Sequence, residues 1–210
     1  MRSRFPCSPS TRSYPIAVLA LASVACGAAA APWSLPLPAP LSVSALAPPP
    51  VAAVKGEPLA APSQAAAAFE LLKELQGTWK GWSSKGWEET ITLQLIANGS
   101  VLAESSQFTD DPAGRNRMAT MYQLDGERML LTHYCEAGNT PRLVATGFED
   151  GGRTLIFTFL DGLNLPSRDR GHMDKVILRL HDASHFSSRW TWYQDGKESW
   201  LEDIRYERVH

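Results

Sequence analysis

Four turn signals set between alternating runs constrain this chain more than any other feature. Asn98-Gly99 follows WEETITLQLIA and precedes SVLAESSQF. Asp125-Gly126 separates RMATMYQL from ERMLLTHYC, and Asp150-Gly151-Gly152 separates RLVATGFE from RTLIFTFLD. Asp195-Gly196 joins HFSSRWTWYQ to KESWLEDIRYERV. Asn-Gly and Asp-Gly tolerate the positive φ that tight hairpins require, so each predicts two sequential antiparallel strands. With GTWKGW and DKVILRLH included, the count is about ten strands. Sequential strands joined this way form a meander, and closure into an up-and-down barrel removes the exposed edges that an open sheet would leave. The predicted fold class is therefore all-β, an antiparallel up-and-down barrel of about ten strands, with one short N-terminal helix. That helix is read from SQAAAAFELLKELQG, with Ser63 as N-cap, Phe69, Leu72 and Leu75 at helical spacing, and Gly77 ending the run.

The first third of the chain reads differently. Arg2, Arg4 and Arg12 precede the apolar run PIAVLALASVACGAAAA, which ends in small residues. A basic region, a short apolar region and an A-x-A ending predict a secretory signal peptide over 1–31 and an exported, periplasmic or secreted protein. Cys26 stands where a lipoprotein would be cut and acylated, so a lipid anchor there is the alternative, although Ser23 is a poor match to the usual Leu. Residues 32–64 are dominated by Pro and Ala and read as a linker without a core. Residues 65–210 form the domain. No later segment is apolar enough to predict a membrane-spanning helix.

The whole chain has 20 Lys and Arg against 22 Asp and Glu, for a net charge of −2. Arg2, Arg4, Arg12 and Lys55 lie before the domain, as does a single acid, Glu57, so the domain itself is more acidic than the chain. That balance argues against a nucleic-acid partner. Only Cys135 remains after the predicted cleavage, which leaves no intramolecular disulfide.

The entry LLKELQGTWKGW, a short helix running into Gly-x-Trp, resembles the calycin superfamily of lipocalins, fatty-acid-binding proteins and nitrobindin-type haem barrels. MYQLDGERMLLTHYCEAGNTPR, NLPSRDRGHM and HFSSRWTWYQDGKE resemble an uncharacterised family of exported bacterial lipocalin-like proteins, over essentially all of 69–208. The resemblance implies a barrel and no established activity. In lipocalins an Arg from the last strand packs across the Gly-x-Trp indole; this implies a structural pair of Trp79 with Arg205. Nitrobindin-type barrels hold haem through one His on a late strand, a part that His185 or His181 could take. Fatty-acid-binding barrels use Arg and Tyr against a ligand's acid group, which would suit Arg189 and Tyr193.

The run THYCEAGNTPR at 132–142 concentrates the polar candidates. By strand alternation, His133 and Cys135 share a face with Met129 and Leu131, and Thr132 and Tyr134 share the other with Leu130. A Cys–His nucleophile is disfavoured because i and i+2 on a strand sit about 6.5–7 Å apart, against the ~3 Å that proton abstraction needs. None of the histidines 133, 172, 181, 185 and 210 pairs at a zinc-motif spacing. In HFSSRWTWYQ, Phe186, Ser188, Trp190 and Trp192 share one face and Arg189 and Tyr193 the other, with either face eligible for the interior. The loop DGLNLPSRDRGH at 161–172 is read as the rim.

The expectation from sequence is a barrel that binds a small, partly apolar molecule without catalysis. Tyr122, His133, Asn139, Arg142, His172 and Arg189 are expected to line or rim its cavity. No cofactor, metal ligand or catalytic residue is assigned. The alternatives are a haem- or metal-dependent barrel with redox or isomerase activity, and a filled barrel that engages a protein partner through its rim loop. Oligomeric state leaves no signature in the sequence.

Overall fold

The computed structural model describes residues 63–210. The predicted signal peptide with Cys26, and the Pro- and Ala-rich stretch as far as residue 62, lie outside the described residues. Helix α1 (Gln64–Lys73) precedes ten strands: β1 (Gly77–Ser83), β2 (Glu88–Ile96), β3 (Val101–Phe108), β4 (Met118–Asp125), β5 (Arg128–Tyr134), β6 (Thr140–Glu149), β7 (Thr154–Leu163), β8 (His172–Asp182), β9 (His185–Gln194) and β10 (Lys197–Arg208). They close into a barrel in which each strand is antiparallel to its sequence neighbours and β10 returns to β1. Closure leaves no sheet edge. Among the described residues, no helix is long and apolar enough to cross a membrane.

The turns work by the chemistry that announced them. Asp195 and Gly196, at φ 51° and 75°, form a two-residue loop between the paired Gln194 and Lys197. The loop at 125 sits one residue later than its dipeptide, since Asp125 itself pairs with Arg128. The Asn98-Gly99 turn is wider, spanning four residues between the paired Ile96 and Val101, with Ala97 also at positive φ.

Ser63 caps α1, its Oγ accepting from the Ala66 N–H at 3.2 Å. The helix stops at Lys73, earlier than expected, and Gly77 is not its terminator but the first residue of β1. The reason lies across the barrel. Gly77 has φ +133°, and a Cβ there would lie 2.7 Å from Nη1 of Arg208. Glycine makes room for that guanidinium, which donates to the carbonyls of Glu74, Gln76 and Ala183. It also covers the Trp79 ring at 4.1 Å from the centroid. The arginine that closes the barrel's end is therefore Arg208, not Arg205. Register explains the correction: Trp79 pairs directly with Arg208, while Arg205 falls on the exposed parity between buried Ile204 and Tyr206.

Helix α1 buries Ala65, Ala68, Phe69 and Leu72 against β4, β5, β6 and the turn at 150–152. It thus plugs the end of the barrel that carries the turns at 97–100, 126–127 and 150–153. Inside that end the wall is apolar: Leu93, Leu102, Met129, Leu155, Leu180 and Phe186 are all buried. Burying each such side chain contributes about 1.5–3 kcal/mol. The other end, the rim, carries the turns at 84–87, 109–117, 135–139, 164–171 and 195–196. The rim loop is shorter than expected, because β7 runs to Leu163 and β8 already begins at His172.

Candidate functional site

Period-two alternation places a row of polar side chains on the inner wall, in the middle and rim-side part of the barrel. Glu104 on β3, Thr120 on β4 and His133 on β5 are direct cross-strand partners, with Glu104 opposite Thr120 and Thr120 opposite His133. Side chains so paired on one face touch. Thr120 Oγ1 donates to Glu104 Oε1 at 3.4 Å and stands 3.0 Å from His133 Nδ1. The Tyr122 hydroxyl donates to the other oxygen of Glu104 at 3.1 Å. One hydrogen-bonded chain therefore runs Tyr122–Glu104–Thr120–His133 across three strands. The imidazole stands 5.2 Å, ring to ring, from Trp190 of β9.

Two further carboxylates face inward. Glu89 accepts from the Tyr206 hydroxyl at 2.8 Å, and Glu202 from Ser83 Oγ at 2.6 Å. The first pair depends on Gly81, where a Cβ would lie 2.7 Å from the Tyr206 ring and 3.1 Å from Glu89 Cγ. Glu89 and Glu202 are buried, whereas Glu104 keeps an intermediate accessibility although Thr120 and Tyr122 beside it are 1% and 2% exposed. Among the described residues, the buried polar and charged set contains no Lys or Arg.

The electrostatics follow from burial. Desolvation pushes Glu104 up to about 7, against the pull of its bonds from Tyr122 and Thr120. Desolvation lowers His133 to about 4, so its ring is neutral near neutral pH. Burial, and then Glu104, hold Tyr122 well above the ordinary tyrosine range, with Glu89 adding to it; burial, Glu89 and Glu104 do the same to Tyr206. Each carboxylate acts on the other's tyrosine, so these four groups form one electrostatic unit.

A hydroxyl has one proton to give, and this fixes the tautomer of His133. With Glu104 ionised, the Thr120 proton goes to the carboxylate and the Thr120 oxygen accepts from His133 Nδ1–H. The lone pair is then on Nε2, which is buried without a hydrogen-bond partner. Orphaned buried polar atoms are uncommon in folded proteins, and each calls for an explanation such as a functional role or an ordered partner.

Of the six residues expected at the cavity, the structure brings Tyr122 and His133 together on the inner wall. Asn139 is buried at the rim, where its Nδ2 donates to the Gly171 carbonyl at 2.8 Å while Oδ1 has no partner. With Asn164 donating to the Gly138 carbonyl, it clasps the 135–139 turn to the 164–171 loop. His172 is fully buried at the rim, between Phe159 and Tyr193, with Nδ1 2.6 Å from the Arg170 carbonyl. Arg168 lies over Phe159 and Tyr193 and pairs with Asp174, closing a lid of its own loop over that imidazole.

Arg142 and Arg189 are not in the barrel. Alternation turns both outward, where Arg142 pairs with Asp161 and Arg189 with Asp203 at 2.7 Å. The face of β9 left open by the sequence resolves with Phe186, Ser188, Trp190 and Trp192 inside. Arg189 instead lines an external groove of about 400 Å3 with Lys175, Trp200 and Asp203. His181 and His185 also lie outside, bonded to Ser187 and Asp182, in a second external groove beside Trp82 and Arg205. Cys135 faces inward as expected, and burial pushes its thiol up to about 12, which keeps it protonated.

The inward carboxylates are the residues that sequence reasoning missed. Glu89 occupies the same parity as the apolar residues Ile91, Leu93 and Leu95. Glu104 shares parity with Leu102 and Ser106, and Glu202 with Ile204 and Tyr206. The signal was the alternation itself, carried through a charged residue.

No family model matches the chain, and no curated protein matches it. Among solved structures the chain is similar to a protein of unknown function of the DUF3598 family from Nostoc punctiforme, with 16% identity and a TM-score of 0.41. The likeness covers 66% of this chain and 49% of that one, so the chain spans about half the length of the protein it matches. A likeness of that order carries no functional argument. Among the described residues, no three His, Cys, Asp or Glu side chains stand close enough to hold a metal ion.

Proposed function

We propose that this chain is an exported, lipocalin-like barrel that holds a small, partly apolar molecule in its interior, without catalysing a reaction on it. The observation that carries this reading is the inner polar chain ending at His133, whose Nε2 has no partner although the residue is 3% exposed. Polar groups converging inside an otherwise apolar wall are the default form of a small-molecule site. The Gly77–Trp79–Arg208 arrangement at the plugged end supports the lipocalin-like part of the reading. Haem is the cofactor alternative. On the inner wall it would have His133 as its imidazole, since His181 and His185 lie outside.

The test is native mass spectrometry of the full chain isolated from its source without organic extraction, set against its denatured mass. An added mass that disappears on denaturation is the expected result, and its value separates an organic molecule from haem. Equal native and denatured masses would count against a retained ligand. A second reading, contact with a protein partner through the rim, is favoured by Leu160 and Leu163, which are 36% and 65% exposed. It predicts that Leu163→Ser abolishes capture of that partner and leaves any bound mass in place.

A further inference from the structure

The ligand reading above leaves the ligand's chemistry open, and three observations on the inner wall narrow it. First, the charged groups there are carboxylates, Glu89, Glu104 and Glu202, beside a neutral His133, Tyr122 and Tyr206, while the buried set holds no Lys or Arg among the described residues. Second, of the three, Glu104 is the one that is not fully buried as a residue, and its carboxylate lies on the inner wall, bonded to Thr120 and Tyr122. Third, His133 projects into the same interior, joined to Glu104 through Thr120, and its Nε2 has no partner.

The hydroxyl protons do not change this balance. Tyr122 and Thr120 direct theirs at Glu104, Tyr206 at Glu89 and Ser83 at Glu202. With Glu104 ionised, Nε2 of His133 is a bare acceptor. An incoming acid would meet the Glu104 carboxylate, whose partners are the Tyr122 and Thr120 hydroxyls, and desolvating like charges together is strongly unfavourable. An incoming N–H donor would meet an ionised acceptor and a neutral one. Hydrogen bonds with one ionised partner are about twice as strong as neutral ones.

We propose that the polar group of the bound molecule is an amine, its N–H groups directed to Glu104 and to Nε2 of His133. This rests on the reading that the interior holds a ligand. Binding of an ammonium ion would keep Glu104 ionised, and desolvation on the inner wall is what leaves it close to half-protonated without one. The expectation of an arginine gripping an acid group is replaced, since Arg142 and Arg189 face outward to Asp161 and Asp203.

The experiment titrates the full chain near pH 7 with hexylamine, hexanol and hexanoate by calorimetry, for wild type, Glu104→Gln and Trp200→Ala. These probes share a tail and differ in the head group. Hexylamine is expected to bind about tenfold tighter than hexanol, with hexanoate the weakest, as a charge-assisted bond predicts. Glu104→Gln, which keeps the shape and removes a buried charge, should bring amine and alcohol to within about threefold of each other. Hexanoate binding as tightly as hexylamine, or an amine preference that survives Glu104→Gln, overturns the amine assignment and leaves the interior site standing. Loss of amine binding in Trp200→Ala but not in Glu104→Gln would move the site to the outer groove and overturn it as well. If none of the three probes binds, the ligand reading falls together with the amine.

Discussion

At the end plugged by α1, the inner wall is made of Leu93, Leu102, Met129, Leu155, Leu180 and Phe186. A few residues further along the same strands, the wall presents Glu89, Glu104, Thr120, Tyr122 and His133. The strands, their pairing and their alternation are common to both regions, so only the choice of side chain separates them. The apolar half gains stability from burial. The polar half works against it, because a carboxyl raised to about 7 and an imidazole lowered to about 4 are groups that would be better solvated in water. A fold that keeps buried, imperfectly partnered polar groups beside a sufficient core accepts a cost in stability at that part of the wall.

The comparison breaks first if the apolar half is not the source of stability. Leu155→Ala removes a fully buried side chain of that wall and should cost about 2–5 kcal/mol, read as a drop in the urea midpoint. A cost below about 1 kcal/mol would show that this half is not the core. Gly81→Ala tests the junction between the halves. The new methyl would collide with Tyr206 and Glu89, and the expected cost is about 1–3 kcal/mol, with the tyrosine fluorescence of Tyr206 altered by loss of its carboxylate partner.

The polar half should reveal itself through pH. Glu104 keeps its proton to about 7 in the fold, against an ordinary value of 4.5. Its contribution is therefore fully present below that ordinary value and is lost as pH rises through about 7. His133 runs the other way. It stays neutral down to about 4, against an ordinary 6.5, so its contribution is present above 6.5 and is lost as pH falls toward 4. Between pH 4.5 and 6.5 the two slopes oppose each other, and these groups leave wild-type stability nearly flat there. Glu104→Gln should leave stability rising with pH across that window, and His133→Gln should leave it falling, each by about 2 kcal/mol. Urea midpoints at several pH values check both. Identical profiles in wild type and the two variants would mean that neither group is buried as described.

The smallest effect separates two arginines of the last strand. Arg208→Ala removes the cover of Trp79 and three bonds to carbonyls and should lower stability by about 1–2 kcal/mol. Arg205→Ala, on the exposed parity, should stay within about 0.5 kcal/mol of wild type. Equal losses would contradict the register of β1 against β10.

The barrel was legible because its evidence is local. Asn-Gly and Asp-Gly dipeptides, and runs that alternate, determine hairpins from a few residues, and hairpins in sequence leave few topologies. The inward placement of His133 and Cys135 was legible for the same reason, since Met129 and Leu131 mark their face. Arg142 and Arg189 were misplaced because a strand's inner face depends on which side is covered by other strands, and their partners Asp161 and Asp203 lie 19 and 14 residues away. Glu104 was missed for a related reason. An inward carboxylate runs against the expectation that charge faces water, and only its cross-strand pairing with Thr120 explains how it is held.

The most direct measurement is a crystal structure of the protein grown with hexylamine. The account predicts the amine nitrogen inside the barrel, within hydrogen-bond reach of Glu104 and of Nε2 of His133, with the hexyl tail toward the α1 end. Hexylamine found instead in the outer groove beside Trp200, with the inner wall unchanged, would contradict it.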